Sequence, residues 1–232
     1  MNAYVKGLKA GIPIGLGYLS VSFTFGIIAV SYGFYWWQAV LISMATVTSA
    51  GQFAGIQTML IPGQYIEMLV SQLTINLRYS FMSVSLSQKL DDRFFGLSRW
   101  LAGFMMTDEV FAVASANEPV SRAFFAGLST LPYVGWGLGT LLGAVLGNIL
   151  PHPVMSALNL AIYGMFIAIV VPEMKEERPV IFVVLLSLCI SCLFYYLPAL
   201  QHISSGFSIS ICAVLSAGIA AFLFPKPLDY TE

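Results

Sequence analysis

The stretch Ser71-Gln72-Leu73-Thr74-Ile75-Asn76-Leu77-Arg78-Tyr79-Ser80 decides the fold. It lies inside an apolar run from about Tyr65 to Leu86. A run of ~20 apolar residues, rising ~1.5 Å each, crosses the ~30 Å hydrocarbon core of a bilayer. Gln72, Asn76 and Arg78 therefore sit near the middle of a membrane span. An arginine at that depth costs roughly 2.5–3.5 kcal/mol on insertion scales, so it is expected to have a partner or a job. The other deep charges are Asp108 and Glu109, in Phe104-Met-Met-Thr-Asp-Glu-Val-Phe111. Arg78 and this acidic pair are expected to face one buried polar site.

The composition fits a membrane chain. Hydrophobic residues make up 58% and charged residues 9%, against roughly 25% charged in a soluble domain. A net charge of −1 gives no sign of a nucleic-acid partner, and no polybasic cluster marks strong anionic-lipid recognition. Lys6 and Lys9 precede an apolar run much as in a signal peptide. That run continues to about Tyr32, contains Pro13, Gly15 and Gly17, and lacks a clear cleavage site, so it is expected to be retained. Cys189-x-x-Cys192 matches a redox or zinc spacing, but no histidine or second cysteine pair accompanies it. The three cysteines (Cys212 is the third) read as small helix-packing residues, and neither metal nor cofactor is expected.

Eight apolar segments can be drawn, at 12–32, 37–60, 65–88, 98–117, 123–150, 154–172, 179–198 and 206–224. They are too long and too uniformly apolar for barrel strands. The expected fold is an all-α polytopic membrane bundle of seven to eight helical segments in one transmembrane domain, residues 1–232. Lys/Arg mark cytoplasmic loops. Full crossing by all eight segments would put Lys6/Lys9 and Lys89/Arg93/Arg99 on opposite sides. The conflict eases if 98–117 enters and leaves on one face, and further if one of the first three segments is also broken. At least one segment is therefore expected to be discontinuous or re-entrant, with both termini cytoplasmic. Gly7, Gly15 and Gly17 recur as Gly127, Gly135 and Gly137, which suggests repeat halves 7–118 and 122–225, inverted if three segments span per half.

Several positions could carry function. Pro13-Ile-Gly15-Leu-Gly17-Tyr18 is expected to interrupt the first helix, offering a freed amide to an anion or only a kink for packing. Gln52, in Ala50-Gly51-Gln52-Phe53-Ala54-Gly55, can bind substrate or bridge helices. Asn76 and Arg78 point ~200° apart on a regular helix, so both face one ligand only if the helix unwinds. Arg78 suits a carboxylate or a fixed ion pair with Asp108 or Glu109. One of those acids can pair while the other relays a proton. Gly135, Gly139, Gly143 and Gly147 recur every four residues, a surface for close helix contact within the chain or with a partner. His152 and His202 read as loop residues. Trp36-Trp37 and Tyr195-Tyr196 fit interfacial aromatics.

Ala50-Gly-Gln-Phe53, Asn76-Leu-Arg78 and Thr107-Asp-Glu109, behind a Gly/Pro-containing first helix, resemble the larger subunit of the AzlC-type (also BrnF- or YgaZ-type) branched-chain amino acid exporters. The resemblance covers about Gly7 to Leu223. It implies an inner-membrane efflux permease for valine, leucine, isoleucine and often methionine, working with a small AzlD-type membrane subunit. The residues alone leave open a secondary transporter, proton-coupled through Asp108 or Glu109, or a channel or transporter for another small solute. An intramembrane enzyme would need a nucleophile–base pair or metal cluster, and the sequence offers no such arrangement.

Overall fold

The computed structural model describes residues 2–117, 119–147 and 177–225, with Pro153, Ile167, Val170, Val171, Met174 and Lys175 between them. The expected span 154–172, His152 and Lys226 lie essentially outside the described residues. Nine helices are present among the described residues: α1 (Ala3–Ser31), α2 (Trp36–Thr46), α3 (Ser49–Met59), α4 (Tyr65–Ser87), α5 (Leu97–Phe104), α6 (Asp108–Ser115), α7 (Arg122–Leu146), α8 (Arg178–Tyr196) and α9 (Ser205–Leu223). Segments 37–60 and 98–117 are each split into two helices, the kind of discontinuity the basic residues called for. α2 and α3 have 11 residues apiece, and α5 and α6 have 8 apiece. At ~1.5 Å per residue none of these reaches across a bilayer. The chain is a multi-pass membrane protein: α1, α7, α8 and α9 are long and apolar enough to cross, and α4, at 23 residues, is long enough despite its polar middle.

Contacts along the helices give their directions. Gly7 of α1 packs against Phe124 and Leu128, Gly15 against Leu131, and Gly26 against Thr140, so α1 and α7 run the same way. An inverted relation between these two helices is thereby excluded. After α4, Asp91 N–H donates to the Val120 carbonyl and Val120 N–H donates to the Lys89 carbonyl, 3.0 and 2.8 Å. Lys6 Nζ reaches Asn117 Oδ1 at 3.1 Å. The end of α4 therefore lies beside the starts of α1 and α7, and α4 runs opposite to both.

That geometry makes both split segments re-entrant, from opposite faces. α5 descends along α7 from Phe94, which packs on Phe125, to Phe104, which packs on Tyr133. α6 then returns, its end bonded through Lys89 Nζ to the Ser115 carbonyl. From the other face, α2 reaches Met44, whose carbonyl accepts from Tyr133 Oη at 3.3 Å. α3 climbs back along α4, Gly51 beside Asn76 and Gly55 beside Met68. Tyr133 thus touches the tips of both hairpins. Irregular backbone at this depth is tolerated because protein or cavity covers it. Lys6, Lys9, Lys89, Arg93, Arg99 and Arg122 all come to one end, while the loops 32–35 and 60–64 at the other carry no lysine or arginine.

α1 and α7 meet backbone to backbone. Phe124, Leu128 and Leu131 carbonyls lie opposite Gly7, Gly11 and Gly15, while Gly15, Leu19 and Phe23 carbonyls lie opposite Gly135, Gly139 and Gly143. Gly147, at the end of the row, meets Ile27. The glycine face of α7 is therefore occupied by α1 rather than left for a partner. Pro13 does not interrupt the first helix, as the sequence suggested: α1 is helical from Ala3 to Ser31 with Pro13 inside it. Pro132 sits similarly inside α7. Proline removes the N–H that would bond four residues back, leaving Leu128 O for the close approach of Gly11. The packing role suggested for the cysteines needs correction too: Cys189 and Cys192 are exposed, on a helix with no buried residue among those described.

A Cβ on Gly143 would overlap the Phe23 carbonyl, whereas one on Gly218 meets nothing within 4 Å. Gly143→Leu should therefore abolish folded, monodisperse protein in detergent. Gly143→Ala should lose at least about 1–3 kcal/mol of stability, the usual cost of overpacking, while Gly218→Ala leaves the melting temperature near wild type. Unchanged melting of Gly143→Ala would show that the seam is not tightly packed.

Candidate functional site

The two hairpin tips leave a cavity of about 680 Å³ at the centre of the bundle. α1 contributes Pro13, Gly17 and Tyr18 to its wall, and α4 contributes Thr74, Arg78 and Tyr79. The first turns of α3 and α6 open onto it through Ser49 and Ala50, and through Asp108 and Glu109. Val21, Val47, Ile75, Trp136, Val170 and Ala213 supply apolar surface.

The sequence placed Arg78 and the acidic pair at one site, and here they meet. Arg78 Nη1 lies 2.8 Å from Asp108 Oδ2. Its Nη2 donates to Tyr79 Oη at 3.1 Å, and the guanidinium lies 4.9 Å from the Tyr79 ring centre, within cation–π reach. The pair is not sealed: the side chains are 43% and 37% exposed, facing the cavity. Glu109 has a different partner, accepting a hydrogen bond from the Tyr18 hydroxyl, while the Tyr18 ring packs edge-on against Trp136.

The two half-helix starts differ chemically. Each N-terminus presents unpaired N–H groups and a partial positive charge. At α6 these are met: the Thr107 hydroxyl accepts from Val110 N–H, and Asp108 and Glu109 stand in the first turn. At α3 there is no side-chain cap and no acid in the first turn. Thr48, at the cap position, instead donates to Asn76 Oδ1 at 2.9 Å. Asn76 Nδ2 donates to Gln72 Oε1, and Gln72 Nε2 to the Gly51 carbonyl, 3.1 and 2.8 Å. This chain of bonds fixes the start of α3 to the middle of α4. Val47, just before the break, takes a left-handed conformation at φ 44°. For a β-branched residue that conformation costs on the order of 1–2 kcal/mol, and surrounding packing must hold it.

Not every expected residue faces the cavity. α4 is a continuous helix, so Asn76 and Arg78 diverge, and Asn76 serves the α3–α4 bracing rather than the cavity wall. Gln52 is 2% exposed, accepts from the Thr46 hydroxyl at 3.3 Å, and bridges the halves of the α2–α3 hairpin. Gly15 packs against Leu131 in the α1–α7 seam; Pro13 and Gly17 remain in the wall. Sequence reasoning missed Tyr18, Tyr79 and Trp136 as wall residues. It also missed Glu67, only 5% exposed, which accepts from Gly206 N–H at 2.8 Å and ties α4 to α9.

Comparison with known proteins covers about three quarters of the chain. The model of the AzlC protein family matches residues 13–150, which include both hairpins, Arg78 and the acidic pair. An uncharacterized membrane protein of Archaeoglobus fulgidus is 37% identical over 179 residues, covering 75% of this chain and 77% of the relative. The inner membrane protein YgaZ of Escherichia coli is 28% identical over 186 residues, 75% of each chain. The branched-chain amino acid transport protein AzlC of Bacillus subtilis is 25% identical over 180 residues, 76% of this chain and 70% of that one. No solved structure matches. With more than half of its length matched by the family model and a relative above 30% identity across three quarters of it, the chain belongs to the AzlC family.

Proposed function

We propose that this chain is a secondary transporter that exports branched-chain amino acids: valine, leucine and isoleucine, with methionine as a further candidate substrate. The observation that carries the reading is the pairing of opposite charges across one central cavity. Arg78 and the uncapped start of α3 offer a place for a carboxylate. Asp108 and Glu109 offer acceptors for an ammonium group. The apolar wall from Val21, Ile75 and Trp136 suits a branched aliphatic side chain, and about 680 Å³ falls within the roughly 300–1,000 Å³ of small-molecule sites. The branched-chain transport named for the Bacillus subtilis relative supports the substrate class. Membership of this family also favours transport over catalysis.

Export direction follows from the family resemblance, as does a small AzlD-type membrane subunit as partner. Because α1 already fills the glycine face of α7, that subunit docks elsewhere. By the positive-inside bias, the end bearing Lys6, Lys89, Arg93 and Arg122 faces the cytoplasm. Proton coupling is assigned to Glu109. Asp108 balances Arg78, whereas the partner of Glu109 is the neutral Tyr18 hydroxyl rather than a cation. The groups around it are Tyr18 on α1, Asp108 beside it, and Arg78 and Tyr79 on α4.

Efflux from dipeptide-loaded cells, with and without the small subunit, tests the reading. Saturable export of leucine and valine that needs both subunits is expected. Non-saturable flux would indicate a channel instead, and full export by the single chain in liposomes would remove the partner from the scheme.

Arg78→Lys keeps the charge but loses the fork that grips a carboxylate. A hydrogen bond to a charged group is worth about 1.5–3 kcal/mol, so flux at low substrate should fall at least about tenfold. Near-normal export by well-inserted Arg78→Lys would remove the bidentate role.

The two acids should separate. Glu109→Gln should insert normally yet lose the pH dependence of export. Asp108→Asn should lower the amount of folded protein, because it leaves Arg78 uncompensated. Retention of wild-type pH dependence by both variants would end the coupling assignment.

A further inference from the structure

The basic end of the bundle carries two adjoining cavities outside the central site. The first is an apolar groove of about 590 Å³ between α5 and α7, lined by Leu97, Leu101 and Met105 on one side and by Arg122, Ala126 and Val134 on the other. The second is a cavity of about 420 Å³ that includes Arg93, Ser121, Arg122 and Asp91. Arg122 lines both, so the polar chamber and the apolar groove adjoin at that residue.

The groove has the dimensions of one lipid tail. It follows α7 from Arg122 to Val134, twelve residues on, or ~18 Å at ~1.5 Å per residue. Half of a ~30 Å hydrocarbon core is ~15 Å. The groove thus begins at headgroup level and ends near the bilayer centre. Its wall residues Leu97 and Leu101 are 73% and 56% exposed, so it is reachable from the side. Arg93 and Arg122 are exposed, and neither forms an ion pair among the described residues. Arg99, nearby, directs its Nε to the Phe94 carbonyl at 2.7 Å. Asp91 contributes the opposing charge to the lining of the second cavity.

We propose that this double cavity binds one anionic glycerophospholipid of the phosphatidylglycerol type. One acyl chain lies in the groove and the phosphate sits between Arg93 and Arg122. A hydroxyl of the headgroup donates to Asp91. Two guanidiniums against one carboxylate leave a positive chamber, which favours a headgroup of net negative charge over a zwitterionic one. A choline headgroup has no donor for Asp91. The site bears on transport through its position: α5 is the first half of the hairpin whose second half carries Asp108 and Glu109. A tail in the groove fills the space between that hairpin and α7.

Native mass spectrometry of the purified full chain tests this, with equal amounts of phosphatidylglycerol, phosphatidylethanolamine and phosphatidylcholine of matched chains. Phosphatidylglycerol should be retained several-fold over either zwitterionic lipid. A cationic side chain near an anionic headgroup is worth about 1 kcal/mol, so Arg93→Gln and Arg122→Gln should each lower its retention about fivefold. Ala126→Trp, which fills the groove, should lower retention of all three lipids. Equal retention of the three lipids by the wild-type protein, or undiminished phosphatidylglycerol binding by the double arginine variant, overturns the proposal. Both arginines are exposed, so their replacement should leave melting unchanged, and the result stands even if Ala126→Trp does not fold.

Discussion

The close seam between α1 and α7 is the contact on which the other elements depend. In lipid there is no hydrophobic drive to bring two apolar helices together, so association rests on van der Waals contact and weak polar contacts at short range. Glycines on both partners bring each backbone against the carbonyls of the other, from Gly7 and Gly127 at one end to Gly26 and Gly143 towards the other. Neither hairpin could hold its place alone. With 8 residues in α5 and in α6, isolated helices of this size are marginal even in favourable sequences. They are stable because they lie on a rigid pair, and Tyr133 of α7 meets both tips.

Once two hairpins end inside the membrane, their loose backbone groups must be answered. An unpaired polar group in hydrocarbon costs several kcal/mol. The chain answers with polar side chains from α4: Asn76 and Gln72 brace the start of α3, and Arg78 meets Asp108 at the start of α6. Two different faces of one spanning helix thus serve the two breaks. This accounts for the dense polar content of 71–80, which would otherwise disqualify the segment as a span. It also accounts for the site lying at mid-depth, since that is where both tips come to rest.

The helical membrane fold was legible because long apolar runs with few charges admit no other architecture. The Arg78–Asp108 meeting was legible for the same reason, as isolated charges at that depth must find each other. The re-entrant course of 98–117 was foreshadowed by the misplaced basic residues around Lys89 and Arg99. Pro13 was expected to break its helix, but a proline inside a membrane helix can be accommodated when the neighbouring helix approaches closely. Asn76 could share a ligand with Arg78 only if α4 unwound, and α4 is continuous; Gln52 was open to binding or bridging, since composition cannot tell an amide that binds from one that braces a broken helix. Tyr18, Tyr79 and Trp136 were hidden because aromatics are common in such segments, and only three-dimensional packing turns them toward the cavity.

The asymmetry of the two half-helix starts carries the last step. Both begin with threonine at the cap position, but Thr107 caps its own helix while Thr48 turns to Asn76. The positive end of α6 is matched internally by Asp108 and Glu109, whereas that of α3 has no acid in its first turn. Two breaks of the same construction therefore present opposite signs to one cavity. On the proposed reading, a zwitterion fits in one orientation only, carboxylate toward α3 and ammonium toward α6, with Arg78 and Asp108 parting from each other as it enters. Their mutual ion pair then stands in for the substrate when the site is empty. It keeps both charges compensated at a depth where neither could remain alone.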